Sequence, residues 1–192
     1  MYLQMVFDCF CYLNEDELFE IRYNYLKDVV DHFYVLEGDH SFQGNRKEFK
    51  FPYKDWDKVT YIQLSKKPYA DPWNNEIYTK NALHIVLNEA ADDDIIFFND
   101  VDEIWNKDVL ARYTGGVCNL EMDLYYKYLN TRASADSKWI YSKVFRKKDR
   151  TGTFRDMRGI TCYQTIKDAG WHFSWVGGKE KMMEKASCNR GE

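Results

Sequence analysis

Apolar residues along this chain fall into two rhythms. Residues 5–11 are apolar but for Asp8, and residues 33–37 and 60–64 carry similar short runs rich in aromatic and β-branched side chains. Runs of that length and composition predict strands. Between the first two, Asn14 stands three residues before Glu17, a capping-box-like arrangement that opens a helix reaching about Leu26, with Leu18, Ile21 and Tyr25 inward. The longest helical pattern covers residues 73–90, where Tyr78, Ala82, Ile85 and Val86 fall at i, i+4, i+7 and i+8. Residues 95–99 then read as a buried strand. Asn106 caps a short helix to about Tyr113, which Gly115-Gly116 ends.

Residues 118–128 change rhythm. Leu120, Met122, Leu124, Tyr126 and Tyr128 share one face, and Glu121, Asp123 and Lys127 the other, the alternation of a half-buried strand. Residues 139–145 look like its hairpin partner. Residues 171–176 form a further strand, and Gly177-Gly178 precedes a final helix. Strands alternating with helices in the first half predict an α/β fold with a mostly parallel sheet flanked by helices, and the hairpin adds an antiparallel portion. With 192 residues, no repeat and no composition break, the chain is expected to be a single domain over residues 1–192.

Composition narrows the function. Hydrophobic residues make up 45 % and aromatics 17 %, enough for a packed core and against disorder. Fifteen Tyr, twelve Phe and six Trp leave rings to spare for stacking on the apolar faces of sugars. A net charge of −4 argues against a nucleic-acid partner, and the basic run 146–150 reads as a solvated loop. The N-terminus has no basic leader segment, and no stretch approaches the ~20 apolar residues of a membrane span, so a soluble cytoplasmic protein is expected. Cys9, Cys11, Cys118, Cys162 and Cys188 have no zinc-site spacing and read as reduced thiols.

The candidate chemistry lies just past the strand at 95–99. Asp100, Asp102 and Glu103 cluster where it emerges, and ligands of open α/β sheets bind at the carboxyl ends of strands. Three close carboxylates repel one another and call for a cation, and Mg²⁺ or Mn²⁺ take oxygen ligands. Asp100 and Asp102 are the expected metal holders.

Blocks spread along the chain carry a resemblance. Asp8 to Arg22, Asp28 to Gly38, Ser41 to Gly44, Asn75-Glu76 with Lys80-Asn81, Asp94 to Ile104, and Asp168 to Trp175 with Gly177-Gly178 are similar, in order, to glycosyltransferase family 17. That family includes the transferase of bisecting β1,4-linked N-acetylglucosamine. The resemblance implies a GT-A-type nucleotide-binding sheet, a UDP-sugar donor, a divalent metal, a glycan acceptor and inversion at the anomeric carbon. It also implies that His172, in Gly-Trp-His-Phe, completes the metal site. Trp105 departs from the family, which usually has proline there.

Roles follow from that resemblance. Inversion needs a base for the acceptor hydroxyl. Asp123 is the first candidate, with Glu121 beside it and Asp156 and Asp168 as rivals. Phe10, Tyr12, Asn14 and Glu37 are expected to stack on uracil or bond the ribose, and Lys80 and Asn81 to reach the nucleotide or diphosphate. Arg155 and Arg158 are expected to balance diphosphate charge, and Arg22 to make an internal ion pair. Trp73, Trp171 and Trp175 are candidates for an acceptor-sugar platform. Two other classes compete: a nucleotide-sugar- or glycan-binding module with little turnover, and a two-metal phosphodiesterase or nucleotidyltransferase, which needs more clustered ligands than these.

Overall fold

The structure, a computed structural model, describes residues 3–161 and 163–188. Its strands are β1 (Val6–Cys11), β2 (His32–Gly38), β3 (Val59–Leu64), β4 (Ile95–Asp100), β5 (Glu103–Trp105), β6 (Cys118–Tyr126), β7 (Lys138–Arg146), β8 (Gln164–Ile166) and β9 (Gly170–Ser174). Its α-helices are α1 (Asp16–Leu26), α2 (Pro72–Ala82), α3 (Val109–Arg112), α4 (Phe154–Gly159) and α5 (Gly178–Cys188). The strands make one sheet in the order β3-β2-β1-β4-β7-β6-β9-β5, with β8 beside β6. β3, β2, β1 and β4 run parallel, and β7 joins β4 antiparallel. The expected α/β architecture with an antiparallel portion is the one observed.

Side-chain alternation sorts the core into two layers. Val6, Phe10, Phe33, Val35, Phe97 and Trp105 pack with Phe19 and Leu26 of α1 on one face. Phe7, Cys9, Tyr34, Leu36, Ile96 and Phe98 pack on the other, against Leu83 and Val86 and against Phe154 and Met157 of α4. The same alternation matters for charge. Asp8 shares its face with α1 and is met there by Arg22 in a fully buried pair at 2.6 Å. Arg22 Nη1 also donates to the carbonyls of Asp100 (3.0 Å), Val101 (3.3 Å) and Glu103 (2.7 Å), so the internal pair anchors the acidic loop from behind.

Several local expectations change. Asn14 does not cap α1: its φ is +59°, and the helix begins at Asp16 without a side-chain cap. The inward face of α1 is Leu18, Phe19, Arg22 and Leu26, and Ile21 is exposed. The helix expected over 73–90 ends at Ala82 and continues as a 3₁₀ segment, Leu83–Asn88. Its buried face is polar (Asn75, Glu76, Lys80), while Tyr78 and Ile85 are exposed. Asp108 immediately precedes α3, and Asn106 caps the turn that leads into it, its Oδ1 accepting from the Asp108 amide at 3.1 Å. Trp105 uses the two things proline lacks. Its indole stacks on Phe97 at 3.8 Å, and its Nε1 donates to Asp8 at 3.2 Å. Cys9, Cys11, Cys118 and Cys188 are free thiols, and Cys162 lies outside the described residues.

Candidate active site

A cavity of about 500 Å³ opens at the carboxyl ends of β1, β2 and β4. Residues following β1 (Tyr12, Leu13, Glu15) and β2 (His40, Ser41, Phe42) form one wall, and Glu76, Thr79 and Lys80 of α2 another. Asp100 and Asp102 form the floor, with His172, Trp139 and Tyr141 beyond them and Arg155 and Arg158 of α4 above. α4 is fixed by a capping box between Thr153 and Asp156, and the i, i+3 spacing of Arg155 and Arg158 puts both on its cavity side.

The acidic trio is already neutralised. Asp100 Oδ1 lies 2.9 Å from Lys80 Nζ, and its Oδ2 pairs with Arg158. Burial alone would raise the Asp100 carboxyl, but Arg158 and Lys80 outweigh it and hold it low. Glu103 is sealed in the protein and caged by donors: Arg158, Trp139 Nε1 (2.7 Å), Ser142 Oγ (2.6 Å) and the Asp100 amide (2.9 Å). Asp102 faces Lys185 Nζ at 2.8 Å and His172 Nε2 at 3.6 Å. Burial opposes its charge, and Lys185 and His172 overcome that and depress its carboxyl. The need for a cation, inferred from three bare carboxylates, is met in this structure by three side chains: Lys80, Arg158 and Lys185.

The fit to a divalent ion follows from what remains. Asp102, Glu103 and His172 can each bring one ligand atom within 4.8 Å of the others. Glu103 has its oxygens committed to the cage, which leaves Asp102 and His172 as the ligand pair. Strand pairing brings them together, since Glu103 of β5 registers with His172 of β9 and the Phe173 amide bonds to the Asp102 carbonyl at 2.8 Å. Gly170 makes the approach possible, because a Cβ there would meet the Ile104 carbonyl at 2.2 Å. The indole of Trp139, 4.2 Å from the His172 ring, fixes the imidazole plane. A mixed oxygen and imidazole set suits Mn²⁺ better than Mg²⁺. The residues fit such an ion once Lys185 leaves Asp102.

The structure brings Tyr12, Lys80, Asp100, Asp102, Arg158 and His172 together at this cavity. Others lie elsewhere. Phe10 is buried in the core under Arg22, 4.4 Å from the guanidinium to the ring centre. Glu37 is buried and occupied by Lys47, by the amides of Lys50 and Phe51, and by Tyr61, so it secures the segment after β2. Asn14 lines a smaller neighbouring cavity. Asn81 accepts from the Arg155 amide (2.9 Å) and ties α2 to α4.

The candidate bases are also placed away from the cavity lining. Asp123 registers with Trp171, one residue out of step with His172, so its side chain leaves the sheet on the opposite face. There it pairs with Arg132 and Lys138. Asp156 is spent on the α4 capping box, and Asp168 sits in a tight turn at φ +48°. Trp73 and Trp175 line the cavity, whereas Trp171 packs edge-on against Tyr25. Trp175 lies past the end of β9 with φ +59°, so strand parity does not extend to it.

Sequence reasoning did not single out Glu15, Trp139 or Lys185. Glu15 follows the turn at Asn14 and lines both cavities. Trp139 was legible only as a strand residue. Lys185 comes from a helix whose position no local pattern gives.

The profile of glycosyltransferase family 17 matches residues 2–182. No curated protein matches the chain by sequence. Among solved structures, a crystal structure of 4-diphosphocytidyl-2C-methyl-D-erythritol synthase is similar at 12 % identity and TM-score 0.51, covering 86 % of this chain and 90 % of that one. The mannosyltransferase PcManGT from Pyrobaculum calidifontis, in complex with GDP-Man and Mn²⁺, is similar at 13 % identity and TM-score 0.49, covering 92 % of this chain and 57 % of that one.

Proposed function

The chain belongs to glycosyltransferase family 17, and from that premise we propose that it is a metal-dependent, inverting transferase that moves a sugar from a UDP-sugar to a glycan hydroxyl. One observation carries the reading: Asp102 and His172 converge with Lys80, Arg155 and Arg158 on one cavity at the carboxyl ends of the parallel strands. A departing diphosphate needs positive charge placed before it leaves.

Asp102 and His172 would hold the metal, with Asp100 kept in place beside them by Lys80 and Arg158. A divalent ion there would offset the charge that develops on the diphosphate leaving group. Arg155 would offer its guanidinium to phosphate oxygens, and Arg158, whose Nη1 and Nη2 are held by Glu103 and Asp100, would contribute positive charge from behind them. Tyr12, Leu13, His40 and Phe42, at the ends of β1 and β2, would border the nucleoside, and Trp73 offers a ring face to a sugar.

The acceptor's proton goes to Glu15 in this reading. Of the carboxylates lining the cavity, Asp100 and Asp102 are committed to the cation cluster, and Glu76 pairs with Lys80 at 3.2 Å. Glu15 stands where the main cavity meets the smaller one, the direction from which a hydroxyl can approach the donor. Burial pushes its carboxyl up to about 8, against the pull of Lys185, which makes it a stronger base than an ordinary carboxylate.

A melting-temperature screen of UDP, GDP and UDP-sugars, with and without Mn²⁺, tests the proposal. A ligand at a hundred times its Kd stabilises by about 2.7 kcal/mol, or roughly 5–10 °C in a protein of this size. If no nucleoside diphosphate raises the melting point, the reading fails. A second reading, a nucleotide-sugar-binding module with little turnover, is favoured by the charge balance of the acidic trio. Mn²⁺-dependent hydrolysis of a bound UDP-sugar separates the two.

A further inference from the structure

The last helix is held differently from the rest of the fold. Among its described residues none is buried, and Met183 is exposed. Polar contacts tie it down instead. Lys185 reaches Asp102, Lys181 pairs with Glu17, the Cys188 carbonyl accepts from the Gln43 amide at 3.3 Å, and the Ser187 carbonyl accepts from Asn45 at 3.5 Å. The helix therefore spans from α1 to the segment after β2, across one side of the cavity. Gly177 and Gly178, at φ +123° and +80°, form the joint on which it hangs.

Lys185 joins this helix to the acidic floor. Its side chain is only 22 % exposed, its ammonium lies against Asp102 Oδ2, and Glu15 lines the same cavity. Asp102 is also half of the ligand pair assigned above. An ammonium 2.8 Å from that carboxylate and a divalent ion on it repel each other at contact range in a poorly hydrated place.

We propose that Lys185 is a tethered counter-ion that holds the cation seat on Asp102, and that α5 is a lid released when a divalent ion takes the seat. This rests on the reading of Asp102 and His172 as the metal ligands. Lys185 keeps the carboxylate paired while the protein is unloaded, so Asp102 is never left as an uncompensated charge. Once Lys185 is displaced, the contacts that still tie the helix down include the Lys181–Glu17 ion pair, with Glu17 exposed, and the bonds to residues 43 and 45. Exposed pairs of that kind hold little. Coupling between the two events is reciprocal: whatever the closed lid subtracts from metal affinity, the metal subtracts from lid closure.

Calorimetric titration of the full chain with Mn²⁺, without nucleotide, tests this on wild type, Lys185→Met, Lys185→Arg and Asp102→Asn/Lys185→Met. Lys185→Met should bind Mn²⁺ roughly fivefold tighter or more, the lower range of couplings between sites. Lys185→Arg should stay near wild type, and the double variant should lose the gain. In wild type, saturating Mn²⁺ should speed tryptic cleavage after Lys179 or Lys181, a readout that needs no variant. Equal Mn²⁺ affinity in wild type and Lys185→Met, with cleavage unchanged by Mn²⁺, overturns the lid and leaves the metal site standing. If neither protein takes up Mn²⁺, the seat itself is wrong and the lid falls with it.

Discussion

Two clusters of opposite charge flank the β1–β4 pair, one on each face of the sheet. Behind it, Arg22 and Asp8 are both inaccessible to solvent, and Trp105 and three loop carbonyls complete their hydrogen bonds. In front, Lys80, Arg158 and Lys185 meet Asp100 and Asp102 at the cavity, where the Asp100 side chain is 31 % exposed. The residue types are the same, and what differs is access. The rear pair can only hold the loop at residues 100–103. The front cluster borders the cavity, where the proposed metal or donor would meet it. A buried pair with all its partners is expensive to break.

The largest effect should come from the rear pair. Asp8→Asn or Arg22→Met leaves one buried charge uncompensated, which costs about 3–5 kcal/mol. In a chain of this size that lowers the melting temperature by roughly 6–20 °C. Denaturant unfolding measures it, and a loss under ~1 kcal/mol would remove the distinction between the clusters.

The front cluster should show the reverse. Asp102→Asn removes one of the two proposed metal ligands and is expected to cut turnover by about 10²-fold or more. Its melting temperature should fall less than that of Asp8→Asn. Comparing kcat with the melting point in the same preparations checks this. A variant that unfolds as readily as Asp8→Asn while keeping its turnover would exchange the roles of the two faces.

Another buried side chain, Lys143, registers with Phe98 and so lies on the cavity side of the sheet. The side chain is inaccessible, and Nζ donates to the carbonyls of Ile140 (3.1 Å) and Tyr141 (2.9 Å). Burial, helped by Arg158, pulls its pKa down from 10.5 to about 7. The unfolded chain therefore binds more protons than the folded one between pH 7 and 10.5. Stability contributed by this residue rises with pH through that window and is lowest below pH 7. The slope is at most about 1.4 kcal/mol per pH unit, roughly 3–5 °C in melting temperature. Lys143→Met should flatten the profile and raise the melting point most at pH 6. An unchanged pH profile would show that Lys143 keeps its proton in the fold.

Local and non-local structure were unequally legible in the chain. The apolar runs of β1, β2 and β4 and the alternation of β6 announced the sheet, because those signals are contained within each strand. β5 and β8, three residues each, are too short to carry a period. The face of α2 was misread because its apolar residues are exposed and its buried face carries Glu76 and Lys80, a polar wall that makes sense only beside a cavity. Asp100 and Asp102 stood out as acids in a row. Their partners did not, since Arg158 is 58 residues from Asp100 and Lys185 is 83 from Asp102, and only the fold brings them together. The carboxylates were visible from sequence, and their neutralisation was not.

The smallest effect should be the one that separates the candidate bases. Asp123 has its carboxylate between Arg132 and Lys138, with all three side chains partly exposed, and it leaves β6 on the face opposite His172. Those two cations hold its carboxyl low despite partial burial, the wrong direction for accepting a proton near neutral pH. Partly exposed pairs contribute at most about 1 kcal/mol, so Asp123→Asn should change both stability and turnover little, with kcat falling less than about tenfold, or 1.4 kcal/mol. Glu15→Gln, in the cavity lining, should lose far more turnover while leaving UDP binding in place. Measured side by side, the two variants decide the matter: a deep loss in Asp123→Asn with Glu15→Gln intact would mean that the acceptor approaches from the other face of the sheet, and that the reactive side of this fold lies away from the cavity.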